Sequence, residues 1–404
     1  MIEFSRLHRR PAALRLWAGA AALALASPAF ALDGEDVATK LKAAYHTTGG
    51  EIVYQAAETD GDTVLLKDVT LKAPTGSKPE SLHVGDVTLS GVEERDDGGY
   101  RVETLSLPDV DMKDKGTAFT VEGMEIGGLQ IPGNPNGTTL DDLLLYETAG
   151  TGPIAITIDG KPFMSIAKSE ATLSRKDGDK GFDFTTTISG LSADLSGAKD
   201  AKSKDAIEKL GLETINGTVA IDGSWELESG RMAISDYSMD FDKIGKLAFA
   251  FDMSGYTMPV VRQMQDAAKA AEANPNKEEA NQALGLSMLG LMQQLNFTSA
   301  EIRFEDKSIT KRLLSYFGAE QGMSGEQFGQ SIKGLVPIMM AQLNMPDLQN
   351  QVTAAVNAFI DDPKALTIRA EPAKPVPLPM IVGAGMGAPA TLPSVLGVTV
   401  KAND

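Results

Sequence analysis

The sequence predicts an α+β chain: a large antiparallel, curved meander sheet over about residues 50–256, then a helical region whose late strands rejoin the sheet. Three observations carry this. Apolar residues alternate with polar ones in run after run between residues 50 and 256. Turn-forming pairs separate those runs at short intervals, which joins neighbouring strands as hairpins. After Tyr256 the apolar spacing changes from every second residue to every third or fourth.

The first 31 residues read as an export signal rather than as part of the fold. Arg6, Arg9, Arg10 and Arg15 precede an apolar run from Leu16 to Ala26, and Ala29-Phe30-Ala31 supplies small residues at Ala29 and Ala31. Cleavage is expected before Leu32. The run is shorter than the ~20 residues a spanning helix needs, and no later segment reaches that length. A periplasmic location is the expectation.

Removing residues 1–31 takes away four Arg and one Glu and leaves a net charge of −21. Such a surface repels nucleic acid and anionic headgroups, so nucleic acid is excluded as a partner. Cysteine is absent, which excludes disulfides, thiolate metal sites and a thiol-linked lipid anchor.

The β-rich region is placed at 32–256. Its clearest strand carries Leu247, Phe249, Phe251 and Met253; Ile154, Ile156 and Ile158 form another, and Phe182, Phe184 and Ile188 a third. Asp60-Gly61, Asp96-Asp97-Gly98-Gly99, Asp177-Gly178 and Ser229-Gly230 supply turns. Asp68-Val69-Thr70-Leu71 recurs eighteen residues later as Asp86-Val87-Thr88-Leu89, a spacing that suits regular sheet rungs.

The region 257–404 reads as mainly helical with edge strands, continuous with the sheet. Pro259 opens an Ala-rich helix to about Ala273, ended by Asn274-Pro275-Asn276. Leu284, Met288, Leu291, Met292 and Leu295 mark a helix over 277–295, and further helices are expected over 309–318, 324–343 and 347–361. Strands are expected around Phe297 to Phe304, at Leu366 and Ile368, and at Val398 and Val400. Pro372 to Pro379 reads as a Pro-rich passage.

Chemistry is hard to find. Beyond residue 31 the histidines are His46 and His83, too few for a three-His metal site and unaccompanied by a Gly-x-Ser-x-Gly elbow. Ser165, Ser196 and Ser308 each precede a lysine by three residues, but the companion motifs of penicillin-binding enzymes are missing. Ser308 reads as a helix N-cap. Asp60/Asp62 and Asp177/Asp179 read as solvated hairpin tips, since none completes a calcium loop. Met288, Met292, Met339 and Met340 read as core packing, with an adaptable helix surface as the alternative. No catalytic residue, metal or cofactor is expected, and a serine–lysine hydrolase is the one enzyme class left to consider.

Asn216-Gly217-Thr218-Val219-Ala220-Ile221-Asp222-Gly223-Ser224-Trp225, Gly230-Arg231, Leu247 to Met253, and Asn296 to Leu313 with Ile302 and Phe304 together resemble segments of YdgA-like and AsmA-like bacterial envelope proteins. The resemblance implies an envelope role, with AsmA-like members associated with lipid movement along a β-lined groove. A sheet with one apolar face must set that face against its own helices, another protein or acyl chains. The expectation is a lipid or other apolar ligand on a face lined by Trp225, Leu247, Phe249, Phe251, Met253, Phe182 and Phe184. The alternative is a scaffold acting through envelope protein partners. An outer-membrane barrel is set aside because the long helical region has no place in one.

Overall fold

The computed structural model describes residues 32–72, 81–342 and 345–404. The expected signal and its cleavage positions Ala29 and Ala31 lie outside them. Helix α1 (Gly34–His46) starts where the Asp33 carboxylate accepts from the amides of Glu35 and Asp36, satisfying donors a helix start leaves free. It buries Val37, Ala38, Leu41 and Ala44 along one stripe.

A long series of strands follows: β1 (Glu51–Val53), β2 (Ala56–Asp60), β3 (Thr63–Lys72) and β4 (Ser81–Glu94). Next come β5 (Tyr100–Leu107), β6 (Val110–Asp114), β7 (Thr117–Val121) and β8 (Met124–Ile131). Then β9 (Thr148–Thr151), β10 (Ile154–Ile158), β11 (Lys161–Ile166), β12 (Lys168–Arg175) and β13 (Gly181–Asp194) lead to helix α2 (Ala201–Leu210). Strands β14 (Thr214–Glu226), β15 (Arg231–Phe241) and β16 (Gly245–Ser254) complete the region.

The helical region starts with α3 (Met258–Ala273) and α4 (Lys277–Met292), then β17 (Asn296–Asp306). Helices α5 (Ile309–Glu320), α6 (Gly325–Ala341) and α7 (Pro346–Asp361) precede β18 (Ala365–Ala370) and the two-residue β19 (Val376–Pro377). Helices α8 (Leu378–Gly387) and α9 (Leu392–Val395) and strand β20 (Val398–Ala402) end the chain. The late strands do rejoin the sheet: β17 pairs with β16, β18 with β17 and β20 with β18, all antiparallel.

All twenty strands of the described residues belong to one open sheet. Its order is simpler than the strand count implies. β5 runs on into β6, β7 into β8, β9 into β10 and β11 into β12, and each such line pairs antiparallel with the next line in sequence. The tight hairpin turns Lys115-Gly116 and Asp159-Gly160 both hold positive φ at both residues, the backbone that matches strand twist.

The interruptions lie side by side. The β3–β4 register shifts on both sides of Val69, and the β13–β14 register slips between Ile188 and Leu191. Between them, Gly123 N donates to Asp109 Oδ1 at 2.9 Å, Gly152 N to Glu122 O at 2.8 Å and Ala167 N to Ser189 O at 3.0 Å. Bulges bend a strand and add twist, so this transverse line curves the sheet. The eighteen-residue echo falls here too: Asp86 Oδ1 accepts from Asp68 N at 3.0 Å, across adjacent strands.

The densest core lies under α1, where Val37 and Leu41 meet Val64, Leu66, Leu89, Val102 and Ile131. Burying each such side chain contributes about 1.5–3 kcal/mol. The opposite sheet face carries ion pairs, including Arg231–Asp252 and Arg303–Glu305.

Sequence periodicity missed three helices, α2, α8 and the four-residue α9. The end of the Pro-rich passage opens α8, with Pro379 in its first turn where no amide hydrogen bond is lost. Helix α2 buries only Leu210, too little for an apolar stripe. Met339 is 65 % exposed, which overturns its reading as core.

Candidate functional site

Pairing register places one row, apolar but for Thr186, across the sheet from β3 to β20. From Val64 it passes to Leu89, Leu105 and Ile126, then to Ala149, Ala171 and Thr186. It continues through Ile221, Tyr237, Phe249, Ile302 and Ile368 to Val400. Residues paired directly across an antiparallel sheet share a face, so the α1-covered core and the C-terminal strands present the same surface.

Cover differs along this row. Val64 and Leu89 are fully buried beneath α1, and Val400 is buried where α7 packs against β20. Between them Tyr237 is 39 %, Ile302 44 % and Ile368 44 % exposed, as is Phe251 in the neighbouring row at 38 %. Ile221 to Ile368 crosses four strand intervals, about 19 Å at ~4.8 Å each. That is an open apolar floor the length of a long acyl chain.

All seven sequence-predicted side chains fall on this face. Phe182, Trp225 and Met253 share a row with Met232, Phe297 and Val376. Phe184 and Phe251 lie in the next row with Ile234, Phe249 in the row above, and Leu247 in the row after it, with Phe304. They do not play the same part. Trp225 is buried, its ring set edge-on against Phe182 at 5.6 Å, and its Nε1 donates to Tyr256 O at 2.7 Å. With Phe297 and Val376 it closes one end of the floor beside α3. At the other end Phe359 of α7 stands edge-on to Phe304 at 6.2 Å. Phe249, paired with Tyr237 at 5.9 Å, and Phe251, beside Phe297 at 6.1 Å, lie on the open part.

Tyr237, Ile302 and Ile368 were not among the expected contacts. In β15 the pairing slips between Ile234 and Tyr237; that extra residue breaks the every-second-residue pattern and hides the row. Ile302 and Ile368 carry the plain alternation, and their shared register is what brings them together.

Helix α3 is tied back to the N-terminal half across one end of the sheet. Arg262 Nε donates to Gly137 O at 2.9 Å and Gln265 Nε2 to Thr47 O at 3.1 Å. Near that contact, Asp141 accepts from Arg95 at 2.7 Å and Arg175 at 3.0 Å. Burial pushes the Asp141 carboxyl up, and the bonds and charges of Arg175 and Arg95 together outweigh it, so the group sits below the ordinary aspartate value.

The chemical candidates are dispersed. Ser308 stands at the start of α5 with φ of 138°, but its hydroxyl donates to Lys243 O at 2.7 Å and makes no cap bond. The expected N-cap role passes to Asp306, whose Oδ1 accepts from Thr310 N at 2.8 Å. Arg312 joins the same clamp, donating to the carbonyls of Lys243 and Leu210. His83 is exposed within hydrogen-bond reach of Thr70, and His46 Nδ1 lies 3.3 Å from Gly50 O. Among the described residues no His, Asp and Glu side chains gather in a metal-holding group.

Residues 238–403 match a protein family described as "Uncharacterized protein". The matched stretch starts inside β15 and carries the open floor from Phe249 onward, the α7 cover and every helix after α2. No curated protein matches the chain.

Proposed function

We propose that this chain is a periplasmic binding protein that holds the hydrocarbon part of a lipid on the open rows of its sheet. The observation that carries this is the row Ile221–Tyr237–Phe249–Ile302–Ile368, aliphatic and aromatic, half-buried at Ile221 and Phe249 and exposed at Tyr237, Ile302 and Ile368 between α1 and α7. Residues 1–31 supply the export expectation, and the resemblance to AsmA-like envelope proteins points the same way.

The energetics favour exchange over permanent capture. A fully buried chain of fourteen methylenes contributes ~11 kcal/mol at ~0.8 kcal/mol each. An open floor covers one side of the chain, realising about half of that, and association costs several kcal/mol. Binding no tighter than about millimolar follows, which suits a carrier that must release its load. The reaction is one of binding alone, with no bond made or broken.

The test is titration of the purified, delipidated protein with a fluorescent long-chain fatty acid. Phe249→Glu and Ile302→Glu are expected to weaken binding at least tenfold while far-UV circular dichroism is unchanged. Thr185→Glu, on the opposite face of β13, is expected to leave it intact. Saturable binding that survives both floor substitutions, or no binding by the parent protein, overturns the proposal. A stoichiometric protein recovered from envelope extract in place of lipid would favour the scaffold reading.

A further inference from the structure

We infer that the paired helices α4 and α8 form a docking surface for an uncharged, zwitterionic bilayer, placing the open floor beside the membrane. This rests on the reading of the floor as a lipid site.

The chemistry of the two helices is unlike the rest of the chain. Charged residues make up 23 % of the sequence, yet none occurs between Glu279 and Glu301, nor between Lys374 and Lys401. Helix α8 buries none of its residues, although it consists of apolar residues, proline and glycine. Met386 is 85 % and Met380 59 % exposed, and on α4, which packs against α8, Leu286 is 72 % and Leu289 55 % exposed. Apolar patches of this kind mark interaction sites rather than ordinary surface.

Their roots place them at the floor. Helix α4 runs into β17, and α8 leaves directly from β19, which pairs with β17 through Phe297 and Val376. Leu378 N, the first amide of α8, donates to Leu295 O at 3.0 Å. Both helices therefore rise from the end of the floor closed by Trp225.

The composition of the patch selects the occupant. Specific protein interfaces carry about one hydrogen bond per 100–200 Å² and are enriched in Arg, Tyr and Trp. The segment Leu378–Gly387 has no side-chain hydrogen-bonding group apart from weak thioethers and no aromatic ring. A partner that needs no register, such as a fluid lipid surface, fits it. The absence of Lys and Arg from α8 and from α4 beyond its first residue, with the net charge of −18, excludes attraction to anionic headgroups.

The experiment is flotation of the full protein with phosphatidylcholine vesicles, alongside Leu286→Glu/Met386→Glu and the control Met112→Glu, which alters an exposed apolar residue on β6. The parent and the control are expected to float. The double variant is expected to lose at least tenfold in partition while keeping fatty-acid binding in vesicle-free buffer. Failure of the parent to float, equal flotation of the double variant, or equal loss in the control overturns the docking surface. So does sedimentation showing a parent dimer that the double variant splits, since a second copy then covers the patch. Phe249→Glu separates the two readings: if it retains fatty-acid binding, the floor is not the lipid site, whatever the vesicles show.

Discussion

Trp225 and Asp141 are single residues whose surroundings allow quantitative expectations. The indole of Trp225 is packed between Phe182 and Tyr256, with ring centroids at 5.6 and 5.9 Å, and donates one hydrogen bond. Trp225→Phe removes chiefly that bond and is expected to cost about 1 kcal/mol. Trp225→Ala also empties the site and is expected to cost about 3–5 kcal/mol, read from urea midpoints. For Asp141 the carboxyl is depressed in the folded state. Its contribution is therefore present above the ordinary aspartate value and is lost as pH falls through the lower folded value. Asp141→Asn is expected to flatten the loss of stability that sets in as pH falls below the ordinary aspartate value, followed by denaturation at stepped pH. Side-chain partners are what sequence conveys least. Ser308 has the residue type and place of an N-cap, but only the fold reveals that its hydroxyl turns to Lys243 and leaves the cap to Asp306.

Strands and helices are legible in the sequence in proportion to how one-sided their burial is. β16 reads plainly because Leu247, Phe249, Phe251 and Met253 lie on one face and Ala248 and Asp252 on the other. β15 reads poorly because its slip after Ile234 shifts the pattern by one residue. Helix α8 carries no polar face to set off an apolar one, so it has no amphipathic signature. The transverse bulge line is equally invisible in any single segment, since it exists only as an alignment between neighbours. Its energetic weight can be tested at Gly190, which holds φ of +62°; a Cβ there would lie 2.5 Å from the Ala167 Cβ. Gly190→Ala is expected to cost about 2 kcal/mol, combining left-handed strain with a clash. Gly61→Ala, in a turn with open space around the added carbon, is expected to cost about 1 kcal/mol.

An open sheet of this size must protect its edges from pairing with other chains. At one edge Glu51, Glu58 and Asp60 supply charge. At the other, α7 lies against β20, and the Val400 amide donates to Gln351 Oε1 at 3.1 Å. Gln351→Leu strips that amide of its partner, with an expected cost of about 1–3 kcal/mol and concentration-dependent self-association in sedimentation. The sheet's antiparallel class and the return of its late strands follow from alternation and turn spacing in the amino-acid sequence. Its single through-going apolar row does not, because register depends on where each bulge falls. The same meander has a kinetic consequence. Every line of strands pairs with its neighbour in sequence, so even a sheet of twenty strands joins adjacent segments, and the helical insertions after β13, β16, β17 and β19 lengthen the separations. Folding speeds up as the mean sequence separation of contacts falls. A chain delivered N-terminus first can therefore build the α1-covered core at once and extend it line by line, with no distant strand awaited to complete it.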